Sequence, residues 1–376
     1  MSNIVKMAQE PSMSLVSTFH NIAGEMNSQL IERSTITKAC QLAVLAQEHV
    51  FLLGPPGTAK SLTIEKFCSA IQGARYFRTL LTRFTQPEEL FGPPSLKGLQ
   101  QDVFKRLIQG YAPDCHILFL DEIWKASSSI LNTLLTMINE RVYMNGADEV
   151  QTPLISLFTA SNELPEDSSL DALYDRFMLR FYVDRISDES NFKQLLSLNE
   201  NDGLKSSLSL DAIALAQSEV KAINPDPVLN TVVDLRSKLE KEGFIFSDRR
   251  WKKSLRILKA NAWLDNRDSV TAEDTEILAD VLWNKPDERK TILKHILSLS
   301  SPELEKALEF YDIAVEIHKN AMDLRTTAAG MEANDKMKDE VLPEMERLPK
   351  SDRLEDLIRQ VKSMKREIAK ECLGFL

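Results

Sequence analysis

The segment Gly54-Pro55-Pro56-Gly57-Thr58-Ala59-Lys60-Ser61 has the residue types and spacing of a loop that binds phosphate groups. It matches the pattern G-x-x-x-x-G-K-[ST] except at the sixth position, where Ala59 replaces glycine. Such a loop points its backbone N–H groups, and the N-terminus of the next helix, at the phosphates. Lys60 would reach the β- and γ-phosphates, and the Ser61 hydroxyl would enter the shell of a Mg²⁺ ion. We expect the departure at Ala59 to be mild, because that position needs only a conformation that accepts a methyl group.

Two adjacent carboxylates, Asp121 and Glu122, end the apolar run Ile117–Leu120. At the carboxyl edge of a parallel sheet both side chains can face the crevice where ligands bind. Asp121 would hold Mg²⁺ directly or through water, and Glu122 would polarise the water that attacks the γ-phosphate. Asn162, which follows another apolar run, could orient the same water. The alternatives are an ordinary Gly/Pro turn and a solvated acidic turn, which the two patterns together disfavour.

Short apolar runs that alternate with helical patterns predict a parallel sheet covered by helices. Helices are expected at Leu15–Leu30 and Ser34–Gln47, before the first strand. From about residue 187 to 286 the helical period dominates. The predicted strands are Val50–Leu53, Tyr76–Leu80, His116–Leu120, Leu154–Thr159 and Leu179–Val183.

The C-terminal region has apolar side chains at alternating spacings of four and three, which predict a helical hairpin or a three-helix bundle. The runs are too short for a long coiled coil. His318 lies within the first run, and a core histidine is favoured there over a ligand or a switch. Asp352 with Glu355 is expected to cap the last helix. The two runs are Leu304, Leu308, Tyr311, Val315, His318 and Met322, and then Leu354, Leu357, Val361, Met364 and Ile368.

The composition of the 376-residue chain is that of an ordinary globular protein, with 43% apolar and 27% charged residues. Its net charge of −10 repels nucleic-acid phosphates overall. No apolar run has the length of a membrane span and no signal peptide is visible, so we expect a cytoplasmic protein. The cysteines show no metal-binding spacing and are expected to be buried free thiols, and they are Cys40, Cys68, Cys115 and Cys372.

The motifs together resemble those of the AAA+ ATPases, and in particular the MoxR group. The segments that carry this resemblance are Leu53–Ser61, Phe119–Lys125 and Ile130–Arg141 followed by Asn145-Gly146. Three further segments, Thr82–Pro93, Ser161–Pro165 and Ser247–Lys253, are similar to the RavA subfamily. The resemblance covers roughly residues 15–285. It implies a wedge-shaped α/β domain with a helical lid, ATP and Mg²⁺ as cofactors, and assembly as a ring, usually a hexamer.

The resemblance also assigns roles to single residues. Asn162 matches the sensor-1 asparagine. Arg176 matches the arginine finger that reaches the γ-phosphate of a neighbouring subunit, and Arg180 is the alternative. Arg249 matches the sensor-2 arginine of the lid, turned to the nucleotide, and Arg250 is its alternative.

The expected fold is α/β, an AAA+ P-loop parallel-sheet core (31–186) with an N-terminal helical segment (1–30). An all-α lid (187–286) and a helical C-terminal extension (287–376) follow. The expected function is chaperone-like: ATP hydrolysis in a ring remodels or activates a protein complex. Loops 82–106 and 141–153 are candidates for contacting the protein client. MoxR relatives commonly work with a von Willebrand factor A domain protein, so we expect such a partner, but the similarity to RavA ends after residue 290 and its own partner is not carried over.

Three other functions compete with this hypothesis. A GTPase is suggested by Asn284-Lys-Pro-Asp287, which spells N-K-x-D but lies outside the predicted sheet. A DNA-dependent AAA+ motor, such as a helicase or loader, is suggested by the basic stretch Arg249–Arg256, which is better explained as the sensor-2 helix. A scaffold that binds nucleotide without turnover is disfavoured by the presence of Glu122 and Arg176.

Overall fold

The computed structural model describes residues 12–167, 170–198 and 203–374. They form two compact units. The first comprises the chain up to Leu229 together with Phe244–Arg289, and the second comprises Asn230–Gly243 together with the chain from Lys290 onward. Among the described residues, no helix combines the length and apolar character needed to cross a bilayer.

The strands of the chain alternate with helices along most of the first unit. The strands are β1 (His49–Leu53), β2 (Ile71–Gln72), β3 (Tyr76–Leu80), β4 (Ile117–Asp121), β5 (Val142–Asn145), β6 (Asp148–Gln151), β7 (Ser156–Ser161), β8 (Phe177–Tyr182) and β9 (Leu208–Ser209). The helices that start in this unit are α1 (Ser12–Gln29), α2 (Ser34–Ala46), α3 (Lys60–Ser69), α4 (Pro87–Phe91), α5 (Leu96–Leu99), α6 (Ser128–Glu140), α7 (Asp171–Tyr174), α8 (Glu189–Ser197), α9 (Leu210–Ala222), α10 (Leu229–Lys241), α11 (Asp248–Leu264) and α12 (Glu288–Ser300).

The main sheet has five parallel strands in the order β3-β4-β7-β1-β8. Strands β1 and β7 are buried along their whole length, which explains their continuous apolar sequences. The predicted parallel sheet is therefore confirmed. Strand ends differ from the prediction by up to two residues. The predicted strand Leu154–Thr159, for example, pairs at Ser156–Ser161, because hydrogen bonding to neighbouring strands and not apolarity sets the ends.

The N-terminal helix α1 packs on the helical layer of the first unit through aromatic and backbone contacts. The rings of Phe19 and Trp263 meet edge to face with centroids 5.5 Å apart. His20 Nε2 lies 2.7 Å from the carbonyl oxygen of Leu264, and Gln41 of α2 donates to the Phe19 carbonyl oxygen at 2.6 Å. These contacts join α1, α2 and α11 into one layer.

An antiparallel hairpin formed by β5 and β6 is absent from the sequence prediction. Asn145 is the last residue of β5, and Gly146 follows it in the turn with a φ of +70°. Asn-Gly between short strands is a known hairpin signal, so the sequence contained the information needed to predict this element.

The second unit is helical, as predicted for the C-terminal region. It contains α13 (Pro302–Leu324), α14 (Thr327–Lys336), a π-helical turn (Met337–Val341), α15 (Leu342–Glu346) and α16 (Asp352–Leu373). The buried stripe of α13 runs through Leu304 and three alanines, Ala307, Ala314 and Ala321. Val315, which the predicted stripe included, is 39% exposed. Small side chains form the buried stripe where α13 and α16 pack together. The prediction followed the large apolar residues and therefore included exposed positions.

Two local predictions in the second unit need correction. Ser351, and not Asp352, is the N-cap of α16, and its hydroxyl accepts from the N–H of Leu354 at 3.2 Å. His318 is partly exposed and its Nε2 lies 3.0 Å from Oε2 of Glu367 on α16, so it is not a core histidine. The four cysteines are free and buried, as predicted.

Candidate functional site

The phosphate loop begins at Gly54, where the chain leaves β1. A Cβ atom at Gly54 would lie 2.1 Å from the carbonyl oxygen of Val183, because the chain that follows β8 passes directly beside the loop. The N–H of Val183 donates to the Leu53 carbonyl oxygen at 2.7 Å and fixes this approach. Glycine is therefore required at the first position of the loop.

Ala59 adopts a left-handed backbone, with φ 59° and ψ 21°, immediately before α3. An L-amino acid in this region is disfavoured by about 1–2 kcal/mol relative to the right-handed region. The substitution of alanine for glycine therefore has a conformational cost, and the expectation of a mild departure is corrected.

Lys60, the first residue of α3, is 9% exposed and folds back over the loop. Its ammonium donates to the carbonyl oxygens of Gly54 and Pro55, both at 2.8 Å. Burial lowers the pKa of Lys60, while the charges of Asp121 and Glu122 oppose this shift. A phosphate group that entered the loop would offer this buried cation anionic oxygens in place of neutral carbonyls.

The residues expected to hold Mg²⁺ are adjacent. Ser61 Oγ lies 3.4 Å from Oδ2 of Asp121, which is the last residue of β4. A hydroxyl and a carboxylate are the hard oxygen ligands that Mg²⁺ prefers. Among the described residues there is no cluster of three or more His, Cys, Asp or Glu that could hold a metal ion. The two side chains fit an ion that takes its other ligands from water and phosphate.

Glu122 follows the strand with a left-handed backbone at φ 56°. Its N–H donates to the Ala160 carbonyl oxygen of the neighbouring strand at 2.8 Å. Its Oε2 is buried and makes no hydrogen bond, although the Lys125 ammonium lies 3.2 Å away, within ion-pairing distance. Glu122 therefore lines the cavity with one carboxylate oxygen that is buried and makes no hydrogen bond.

These residues surround one cavity of about 430 Å³. The phosphate loop, Asp121, Glu122 and Asn162 all line it, so three predicted motifs that are distant in sequence meet in space. Arg78 of β3 also lines the cavity and pairs with Glu65 of α3 at 2.8 Å. Arg78 is not among the residues predicted from the sequence, because a single cation in an edge strand has no distinguishing pattern.

Arg176 and Arg249 do not line this cavity. Arg176 is partly exposed, and its side chain donates to Asn139 Oδ1 and to the Ala172 carbonyl oxygen, both at 2.7 Å. Arg249 is exposed on the first turn of α11. Burial, and then the charge of Arg249, lowers the pKa of Arg176.

The alternatives Arg180 and Arg250 are both 1% exposed and engaged within the chain. Arg180 stacks over the Tyr174 ring at 3.6 Å and donates to the carbonyl oxygens of Tyr174 and Trp283. Arg250 pairs with Asp175 at 3.1 Å and donates to further backbone carbonyls. Such buried networks stabilise the fold.

The N-K-x-D sequence that suggested a GTPase belongs to the same structural network. The Asn284 side chain accepts from Arg180 at 2.9 Å, and its backbone carbonyl accepts from the Tyr174 hydroxyl at 2.9 Å. None of residues 284–287 lines the phosphate cavity. This asparagine connects the buried side chains of Arg180 and Tyr174.

Comparison with known families gives two matches along the chain. Residues 17–223 match the model of the MoxR domain in the MoxR-vWA-beta-propeller ternary systems. Residues 227–296 match the model of an AAA lid domain. The first match alone covers more than half of the chain.

Similar proteins include two uncharacterized proteins of Methanocaldococcus jannaschii, each 41% identical to this chain over 78% of its length. The aligned regions cover 78% of the first protein and 77% of the second. The chaperone MoxR1 of Mycobacterium tuberculosis is 24% identical over 46% of this chain and 46% of its own length. A solved structure from Cytophaga hutchinsonii, assigned as an ATPase, has a TM-score of 0.64 at 18% identity. It covers 76% of this chain and 95% of its own, and shows that the fold is shared. These relatives give no support to a DNA-dependent motor.

Proposed function

Because the chain belongs to the MoxR family of AAA+ ATPases, we propose that it binds ATP with Mg²⁺ and hydrolyses it in the cavity described above. The observation that carries this proposal is the convergence of Lys60, Asp121 and Glu122 on a single cavity. Phosphoryl transfer to water requires a phosphate cradle, a metal ion and an oriented water, and these residues supply one part each.

Each role follows from the position of the side chain. Lys60 leaves its carbonyl partners for the β- and γ-phosphates. Ser61 and Asp121 would hold Mg²⁺, which would neutralise charge on the phosphates. Glu122 accepts a proton from the attacking water, and Asn162 orients that water from the next strand of the sheet.

We further propose that the active site is completed in a ring, usually a hexamer in this type of ATPase. Neither Arg176 nor Arg249 lines the cavity of its own subunit, which supports placing both at the γ-phosphate of a neighbouring subunit. This differs from the expectation that Arg249 faces its own nucleotide. Two guanidinium groups would then stabilise the charge that develops on the γ-phosphate oxygens.

The biological role that we propose is chaperone-like remodelling or activation of a protein complex in the cytoplasm. The description of the matched family, which names MoxR-vWA-beta-propeller systems, supports a partner with a von Willebrand factor A domain. Loops 82–106 and 141–153 remain the candidates for contacting the client. Membership of the RavA subfamily rests on the sequence motifs around Thr82, Ser161 and Ser247, and stays a prediction.

Two substitutions test the division of labour at this site. Lys60→Ala should abolish tight ATP binding, because the loop loses the cation placed against the β- and γ-phosphates. Glu122→Gln should keep ATP binding and lose turnover, because Asp121 still holds Mg²⁺ while the water loses its base. Titration with a fluorescent ATP analogue, together with a phosphate-release assay, separates the two effects. Equal loss of binding in both variants would contradict the proposed roles.

A further inference from the structure

A buried arginine outside the nucleotide motifs contacts the phosphate loop. Arg33 precedes α2 and is only 6% exposed. Its guanidinium makes three hydrogen bonds to backbone carbonyl oxygens: Nε to Thr58 at 2.8 Å, Nη2 to Asp184 at 2.9 Å and Nη1 to Glu32 at 2.8 Å. One side chain therefore joins the loop to the chain that leaves β8.

The contact with Thr58 acts on the backbone path of the loop. The Thr58 hydroxyl donates to the Pro55 carbonyl oxygen at 3.0 Å, which holds the loop from within. Arg33 holds the same residue from outside. Because phosphate is bound by backbone N–H groups whose directions depend on this path, a fixed Thr58 carbonyl keeps those groups in place.

The positive charge of Arg33 also favours the binding of an anion by the loop. Burial lowers the pKa of its guanidinium, while the charges of Glu32 and Asp184 oppose the shift. The charge of Arg33 also contributes to lowering the pKa of Lys60, after burial of that ammonium. Two cations that are close enough to influence each other favour an anion beside them.

We propose that Arg33 is a positioning residue for nucleotide binding, which holds Thr58 and Asp184 so that the phosphate loop is preformed. The inference rests on the proposed binding of ATP. Glu32 provides a matched control, because its carboxylate makes its hydrogen bonds away from the phosphate loop: it accepts from the backbone N–H of Ser187 at 3.3 Å and from the Asn191 side chain at 2.9 Å.

The test compares Arg33→Met, Arg33→Lys and Glu32→Gln in the full chain, using a fluorescent ADP analogue and thermal melting with and without ADP. Arg33→Met should weaken ADP binding by about tenfold or more, the scale of a lost charged hydrogen bond. Its ADP-induced rise in melting temperature should shrink accordingly. Arg33→Lys should be several-fold weaker, because an ammonium cannot reproduce the guanidinium fork. Glu32→Gln should bind ADP within about twofold of the original chain.

A purely structural role would lower the melting temperature without nucleotide and leave both the ADP affinity and the KM for ATP unchanged. If Arg33 has the proposed role, the KM of Arg33→Met for ATP rises, while its kcat at saturating ATP stays within a few-fold of the original chain. Unchanged affinity in Arg33→Met, or in Arg33→Lys if the methionine variant does not fold, overturns the inference. So does an equal loss in Glu32→Gln. An original chain that binds no ADP would instead overturn the ATPase proposal, and this inference with it.

Discussion

Ala59 places a side chain where the backbone of the phosphate loop favours glycine. The left-handed backbone conformation of Ala59 lowers the free energy of unfolding relative to glycine at this position. The cost is confined to the junction of loop and helix, since Lys60 begins regular α3 directly afterwards. A conformational cost of this size is compatible with folding, because the free energy gained by burying apolar side chains around the sheet is far larger.

Ala59→Gly should therefore stabilise the chain. Relief of the left-handed cost exceeds the extra unfolded-state entropy of glycine, for a net gain of about 0.5–1 kcal/mol in the free energy of unfolding. Urea denaturation without nucleotide measures the change. The control is Ala70→Gly at the other end of α3, where the backbone is right-handed and glycine should destabilise. A loss of stability in both variants would contradict the left-handed assignment.

At the scale of elements, the β5–β6 hairpin and the loop 82–106 are joined by direct contacts. The Asn145 side chain accepts from the N–H of Arg106 at 2.7 Å and donates to its carbonyl oxygen at 3.1 Å, like a strand partner. Lys105 pairs with Asp148 at 2.5 Å. The hairpin and the preceding loop therefore support each other, and a change in one should disturb both.

Gly146→Ala tests this coupling. An added Cβ would lie 2.0 Å from the carbonyl oxygen of Phe104, and the φ of +70° adds strain. We expect a loss of about 1–3 kcal/mol in the free energy of unfolding and faster proteolysis of the insertion. Gly110→Ala is the matched control, because Gly110 also has a positive φ, +81°, but its Cβ would meet nothing within 4 Å. Equal effects in both variants would mean that backbone strain alone, and not the clash, destabilises the hairpin.

At the scale of the whole molecule, the location of Arg176 and Arg249 outside their own cavity makes a shared active site the central question. Arg176→Ala should fold and bind ATP, yet hydrolyse it about a thousandfold more slowly, on the scale known for arginine fingers. Mixing it with Lys60→Ala, also inactive alone, should restore some activity. In a mixed ring the intact cavity of an Arg176→Ala subunit can lie beside a subunit that still offers Arg176.

The control mixture is Lys60→Ala with Glu122→Gln, in which no subunit has an intact cavity and no activity should return. Light scattering first establishes that mixed assemblies form. If they form and the Arg176→Ala mixture stays inactive, Arg176 acts within its own subunit or only in folding. Arg249 then becomes the candidate finger, because Arg180 is fully engaged in the core.

The main parts of the nucleotide site and the fold class were predictable from the amino-acid sequence alone. The phosphate loop and the Asp121–Glu122 pair were predictable because their chemistry depends on residues adjacent in the chain. The parallel sheet was predictable because strands buried on both faces are continuous apolar runs. The expected strand ends placed Asp121, Glu122 and Asn162 at one edge, where the structure has them.

Arginines with similar local sequences differ in their three-dimensional surroundings, which the sequence did not predict. Arg180 and Arg250 are buried because their guanidinium groups meet carbonyl or carboxylate partners about 70–100 residues away along the chain, such as Trp283 for Arg180 and Asp175 for Arg250. Arg176 and Arg249 lack such enclosure and remain accessible. Arg33 likewise acquires its role from Thr58 and Asp184, which no local pattern connects to it. The burial of each arginine and the partners it binds depend on how distant segments of the chain pack. The local sequence therefore identified candidate arginines but could not predict which of them are buried and which are accessible.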